Sequence, residues 1–169
     1  MTCDPAVGIV SPMIPSVENT KSEFLATKAR LLRTLDATPD DRLNWSPSET
    51  ARSPIQLVAH CANSIEWLST SFAGKPMPKH STAEFDAIHM ARDKEFRTRE
   101  QVVSHLEAQS AAFLTWLEAV SEEQLATTWE SPFGAVPLSL AITFPGRHAE
   151  GHLSQLEYLQ TIYGDRIWH

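Results

Sequence analysis

Apolar residues return every three or four positions along four long stretches of this chain, the spacing that lines one face of an α-helix. The first covers residues 17–35, with Phe24, Leu25, Leu31, Leu32 and Leu35 on its buried side. Thr38-Pro39-Asp40-Asp41 then reads as a capping sequence for a short extra turn, and Leu43-Asn44-Trp45-Ser46-Pro47 as a connection with an aromatic anchor. The second stretch opens at Ser53-Pro54-Ile55-Gln56, which supplies a cap, a proline at the first helical position and a capping-box glutamine. It continues through Val58, Cys61, Ile65 and Leu68 to Phe72, and Gly74-Lys75-Pro76 stops it. The third opens at another capping box, Thr98-Arg99-Glu100-Gln101, and carries Val102, Leu106, Phe113, Trp116, Leu117 and Val120 on its core face. Ser121-Glu122-Glu123-Gln124 caps a further turn. The fourth covers residues 139–163 and ends at Gly164, with a kink expected at Pro145, which has no backbone N–H to donate.

Residues 77–93 carry a weaker pattern, in which 83–91 suit a short helix within a segment crossing over the bundle. Residues 129–137, with Pro132, Gly134 and Pro137, read as a loop or a small hairpin. No repeat, low-complexity tract or long linker divides the chain. The expectation is an all-α, up-down-type four-helix bundle with a long crossover between helices 2 and 3. It forms one domain over residues 17–169, after a loose N-terminal segment over residues 1–16.

Composition narrows the class. An apolar content of 42% and a charged content of 21% over 169 residues are those of an ordinary soluble domain with a core large enough to need no staples. The formal net charge is -7 with no Lys/Arg-rich block, which argues against nucleic acid as a partner. Cys3 and Cys61 make no disulfide framework, a pattern suited to a reducing cytoplasm with Cys61 as a small buried hydrophobe. The first fifteen residues are broken by Pro5, Pro12 and Pro15 and lack a signal-peptide pattern, and no apolar run is long enough for a membrane span. A soluble, cytoplasmic protein is expected.

Against this background the fourth helix places two histidines where its periodicity calls for core. With His148 at zero on a helical projection, Ala141, Phe144, Pro145, Leu156, Leu159, Ile162 and Tyr163 fall within about 80° of it and His152 about 40° away. Arg147, Glu150, Ser154 and Glu157 fall on the far side. A single histidine on an apolar face is usually a satisfied core residue. Two adjacent imidazoles suggest something shared, such as a metal ion. His60, on the second helix beside Leu57, Ser64 and Trp67, projects to the edge of the buried face and alone would read as a partly exposed residue. With His148 and His152 it completes a set of one ligand from one helix and two from another, the usual construction of a bundle metal site. Three neutral imidazoles suit zinc, nickel, copper or iron and leave an open position, whereas a structural zinc site takes four ligands, normally with cysteines. Cys61 projects about 100° from His60 and is a poor fourth ligand.

These residues resemble the DinB-like (DinB/YfiT-like) superfamily of metal-dependent four-helix-bundle enzymes. The resemblance is carried by Leu43-Asn44-Trp45-Ser46-Pro47 leading into Ser53-Pro54-Ile55-Gln56-Leu57-Val58-Ala59-His60. It is carried too by His148-x-x-x-His152-x-x-Gln155 closing with Tyr163-Gly164-Asp165, and by the order of the four helices. It implies His60, His148 and His152 as the metal triad, zinc or nickel as the ion, and a homodimer. It carries no implication of DNA repair. Pro145-Gly146 and the long crossover depart from the family pattern.

His105 projects into the apolar face of the third helix, where a core histidine bonded to a neighbour is the ordinary reading and a pocket or ligand role the alternative. Trp67 and Gln155 are further candidates for the pocket, as are Trp45 and Tyr163; His80, His89 and His169 read as surface residues. Hydrolysis at such a site wants a carboxylate base. Glu66 and Glu150 project about 120° and 160° away from His60 and His148, so neither is aimed at a metal. Coordination ionises a thiol without a base, and some relatives transfer or isomerise with low-molecular-weight thiols such as bacillithiol or mycothiol. The expected function is a metal-dependent hydrolase or thiol S-transferase acting on a small molecule. The alternatives are a non-catalytic metal- or ligand-binding module and a metal-free dimeric interaction domain.

Overall fold

Three of the four long helices open where a hydroxyl side chain closes the first turn. In the computed structural model, which describes residues 16–76, 80–131 and 134–169, Ser16 caps α1 (Val17–Asp36), Ser53 caps α2 (Pro54–Phe72) and Thr98 caps α4 (Arg99–Ala119). Both predicted capping boxes are formed, with Gln56 and Gln101 reaching back to the cap backbone. Each such cap satisfies donors that would otherwise point at nothing and is worth about 1 kcal/mol. Ser121 caps the single turn α5 (Glu122–Leu125), again with a reciprocal glutamine. The crossover contains α3 (Thr82–Asp93), opened by a further box from Ser81 and Glu84 that the sequence reading did not pick out. Thr38 to Asn44 forms turns rather than an extra helical turn. The expected loose segment over residues 1–16 lies outside the described residues apart from Ser16, and Cys3 lies there with it.

Residues 128–137 resolve the choice between loop and hairpin. β1 (Thr128–Ser131) pairs antiparallel with β2 (Gly134–Pro137), Trp129 opposite Val136. Trp129 turns inward, its Nε1 donating to Ser71 Oγ at 2.7 Å and its ring meeting Phe72 edge-on at 5.1 Å. The fourth long helix is not one kinked rod. A short turn, α6 (Leu138–Ala141), is followed by a break at Ile142 and Thr143, and α7 (Phe144–Ile162) starts afresh. Pro145 therefore occupies the first turn, where a missing N–H costs nothing, instead of bending a continuous helix.

The directions of the helices follow from which residues meet. Along α1 and α7 the partners rise together: Phe24 with Gly146, Thr27 with Glu150, Arg30 with Glu157, Thr34 with Gln160. These two helices are parallel. So are α2 and α4, where Asn63 meets His105 and Phe72 meets Trp116. Between α1 and α4 the order reverses, Lys21 pairing with Glu118, Lys28 with Glu107, and Arg99 donating to the Leu35 carbonyl. The four directions in chain order are thus up, down, down, up, and the long crossover is what lets α2 and α4 run the same way.

Phe24, Leu31, Leu35, Ile55, Ile65, Phe113, Leu153 and Leu156 fill the centre, with Phe24 and Phe113 edge-to-face at 5.0 Å. Because α2 touches α1, α4 and α7 and carries α3 against its remaining side, nearly all of it is buried, including His60, Asn63 and Ser64. Ile162, expected in the core, is 47% exposed. Among the described residues no helix is long and apolar enough to cross a membrane.

Candidate functional site

Antiparallel packing of α2 on the first half of α7 brings His60 against His148 and His152. Their ring centroids lie 5.1 and 4.7 Å from that of His60, and 4.5 Å from each other. One nitrogen from each ring falls in a group spanning no more than 4.8 Å. The Nε2 atoms of His148 and His152 lie 3.1 Å apart. Two nitrogens bound to one zinc at about 2.0–2.1 Å in tetrahedral directions stand roughly 3.3 Å apart, so the pair is already near a spacing that a metal ion fits.

Two of the remaining ring nitrogens, those of His152 and His60, are committed. His152 Nδ1 donates to Gln155 Oε1 at 2.8 Å, and His60 Nδ1 to Asp93 Oδ2 at 3.0 Å. Each bond fixes a tautomer with its lone pair on Nε2 and orients the ring, the supporting arrangement found around metal-binding histidines. Burial, reinforced by the neighbouring imidazoles, brings His148 down to about 3. Burial and His60 bring His152 down to about 4. Both are neutral near pH 7, the form that binds a cation.

Asp93, the last residue of α3, is the hub that the sequence reading missed. It is 1% exposed, and besides His60 its carboxylate accepts from Arg52 Nε at 2.8 Å and from Asn63 Nδ2 at 2.9 Å. Burial alone would raise its pKa; the hydrogen bonds from His60, Arg52 and Asn63 outweigh it and hold the carboxyl below the ordinary aspartate value. Asn63 Oδ1 takes a bond from His105 Nε2 at 2.9 Å, and His105 stacks on Phe96 at 4.8 Å. His105 thus sits two residues back from the histidine group, bonded to a neighbour, and does not line its cavity.

That cavity, about 570 Å³, opens beside His60 and His148 and is walled by Trp67, Phe85, Trp129 and Phe144, with Arg147 at its edge. Trp67 stands where the pocket was expected. His89 does not stand at the surface: it is 8% exposed, its ring lies 5.2 Å from that of His60, and its Nδ1 is buried without a partner among the described residues. The reason is that α3 turns this face inward onto α2. His80 is exposed, and His169 bonds to Asp165. Trp45 and Tyr163 meet edge-on at 6.3 Å, under Arg42 and away from the cavity. Glu66 pairs with Arg92, and Glu150 with Arg30 and Thr27, so neither reaches the histidines.

Twelve solved chains share this architecture. YfiT from Bacillus subtilis, described as a probable metal-dependent hydrolase with an unusual four-helix bundle topology, aligns over 97% of this chain and 94% of its own at 14% identity and a TM-score of 0.72. The mycothiol-dependent maleylpyruvate isomerase aligns over 83% of this chain at 17% identity and a TM-score of 0.66, and the chain spans 60% of that longer protein. The colibactin self-resistance protein ClbS, solved in complex with double-stranded DNA, aligns over 86% of this chain and 96% of its own at 16% identity and a TM-score of 0.69. At such identities the likeness is one of fold. No curated protein matches the sequence. The family profile matches residues 23–156, the span that holds all three histidines and Asp93, and the chain belongs to the DinB superfamily.

Proposed function

We propose that His60, His148 and His152 hold one divalent metal ion, zinc or nickel, with a position left open, and that the chain is a metal-dependent enzyme acting on a small molecule. The observation that supports this is the convergence of three imidazoles, two of them with Nδ1 already committed, at the edge of an apolar cavity. A bound cation would polarise a carbonyl and ease ionisation of a coordinated water or thiol. The chain's own part is to fix the rings through Asp93 and Gln155, and to keep bulk water from the reacting group with Trp67, Phe85, Trp129 and Phe144.

Between the two chemistries the residues favour transfer of a low-molecular-weight thiol. Asp93 already accepts three hydrogen bonds and, among the described residues, no carboxylate lines the cavity, whereas hydrolysis ordinarily uses a general base. Likeness to a mycothiol-dependent isomerase agrees with this choice; likeness to YfiT keeps hydrolysis as the second reading. The homodimer that the family resemblance implies belongs to the same reading, and sedimentation velocity checks it.

Elemental analysis of protein purified without a histidine tag tests the metal. One equivalent is expected, and its loss in His60→Ala, His148→Ala and His152→Ala. Metal-free wild type would overturn the proposal and leave a helical interaction domain. Conjugation of bacillithiol or mycothiol to a halogenated aromatic or an epoxide, run beside ester and amide hydrolysis, then separates the reactions. Metal with neither activity would favour a non-catalytic binding module.

A further inference from the structure

The cavity beside the histidines is apolar over most of its wall yet carries one permanent charge. Arg147, in the first turn of α7, is the only Asp, Glu, Lys or Arg among its described lining residues. It is exposed and has no ion-pair partner among the described residues, while Arg30, Arg42, Arg52, Arg92 and Arg99 all do. Arg147 also borders a second groove with Glu23, Arg30 and Glu150, but in a chain of net charge -7 an arginine lining an aromatic cavity is a local reversal of sign. The N-terminal end of α7 adds positive potential at the same place. Four aromatic side chains, from α2, α3, β1 and α7, offer flat faces and edges to a guest. A volume of about 570 Å³ suits a compact organic molecule.

We propose that this cavity binds a small organic carboxylate with a flat apolar body, its carboxylate held by Arg147 and its body seated among Trp67, Phe85, Trp129 and Phe144. A neutral apolar guest would leave Arg147 without use, and a small inorganic anion would leave the aromatic wall without use. The inference rests on the metal reading only in assigning the guest as substrate; the binding itself requires no metal.

The test is calorimetric titration with 2-naphthoate and its neutral counterpart 2-naphthylmethanol. Wild type, Arg147→Gln and Phe85→Ala are titrated, each metal-loaded and chelator-treated, with metal content measured on the same samples. Wild type should bind naphthoate at least tenfold more tightly than the alcohol, with or without metal. Arg147→Gln should erase that preference and leave the alcohol unchanged, and Phe85→Ala should weaken both. Equal affinities in wild type, an Arg147→Gln variant that keeps the preference, or a Phe85→Ala variant that binds both probes normally would overturn the proposal. So would a preference that disappears with the metal alone, because the carboxylate would then sit on the ion. Arg147-dependent binding by protein that takes up no metal even when metal is supplied would sink the metal reading and leave this one standing; stoichiometric metal without naphthoate binding would do the reverse.

Discussion

Asp93→Asn keeps the shape of the buried hub and removes its charge, and the outcome can be worked from the contacts. Oδ2 accepts from His60 Nδ1 and Arg52 Nε, and Oδ1 from Asn63 Nδ2. An asparagine has one oxygen and one NH2 group. With its oxygen at the Oδ2 position, its NH2 opposes that of Asn63; turned over, it opposes both His60 and Arg52. Either way a buried donor meets a donor. Arg52, 16% exposed, would keep only Asp86, at 3.7 Å, as a charged partner. Breaking a buried charge pair outright costs about 3–5 kcal/mol, and hydrogen bonds retained by the amide bring the expected loss to roughly 2–4 kcal/mol. For a loss of about 3 kcal/mol, a chain of this size should melt roughly 6–12 °C lower. His60 also exchanges a charged acceptor for a neutral one, or for a donor if the amide turns over, so metal affinity should fall about 10–100-fold. Thermal unfolding of metal-free protein reads the first effect and chelator competition the second. A lower Tm with unchanged metal affinity would show that Asp93 braces the helices without positioning His60. No change in either would refute the reasoning entirely.

Acid should destabilise the metal-free protein through His148 and His152. Their folded values of about 3 and about 4 lie below the ordinary 6.5, so the unfolded chain binds more protons between these limits. Stability is therefore expected to drop as pH falls from about 6.5 towards 4, by at most about 2.7 kcal/mol per pH unit for two groups. A His148→Ala/His152→Ala double variant should give a flatter curve, and an equally steep one would contradict the assignment. Gln155→Leu should lower metal affinity about tenfold by releasing His152 Nδ1, while chemical denaturation changes by less than about 0.5 kcal/mol because the residue is exposed. Pro145→Ala should destabilise by about 0.4–1 kcal/mol through the unfolded chain. A gain of about 3 kcal/mol would instead mean a proline trapped inside a helix.

The long helices were legible because their boundaries are written in local chemistry. Ser53 with Gln56 and Thr98 with Gln101 mark starts that need no tertiary information, and the histidine pair on α7 stood out against its own periodicity. His60 was harder. Projection assumes a helix with one wet side, whereas α2 is covered all round, so a position at the edge of one apolar arc lies inside the protein. A cue was present: Glu66 is the single charged residue in the nineteen of α2, too few for a helix with a solvated face. Asp93 and His89 were out of reach for a different reason. α3 leaves Ile88 half exposed and covers a neighbour instead of building the core, so its apolar pattern is short and weak. Nothing local distinguishes a buried aspartate at the end of such a helix from the solvated ones elsewhere.

The parallel pairing of α1 with α7 sets an order of assembly. Synthesis delivers residues from the N-terminus, and His60 can meet Asp93 across a separation of 33 residues as soon as α3 exists. Contacts such as Thr27 with Glu150, 123 residues apart, wait for the final helix. Since α7 supplies two of the three imidazoles, the constellation forms only once α7 has docked on α2. With α7 undocked only His60 of the three is in place, so under the metal reading cation capture would report that α7 has docked.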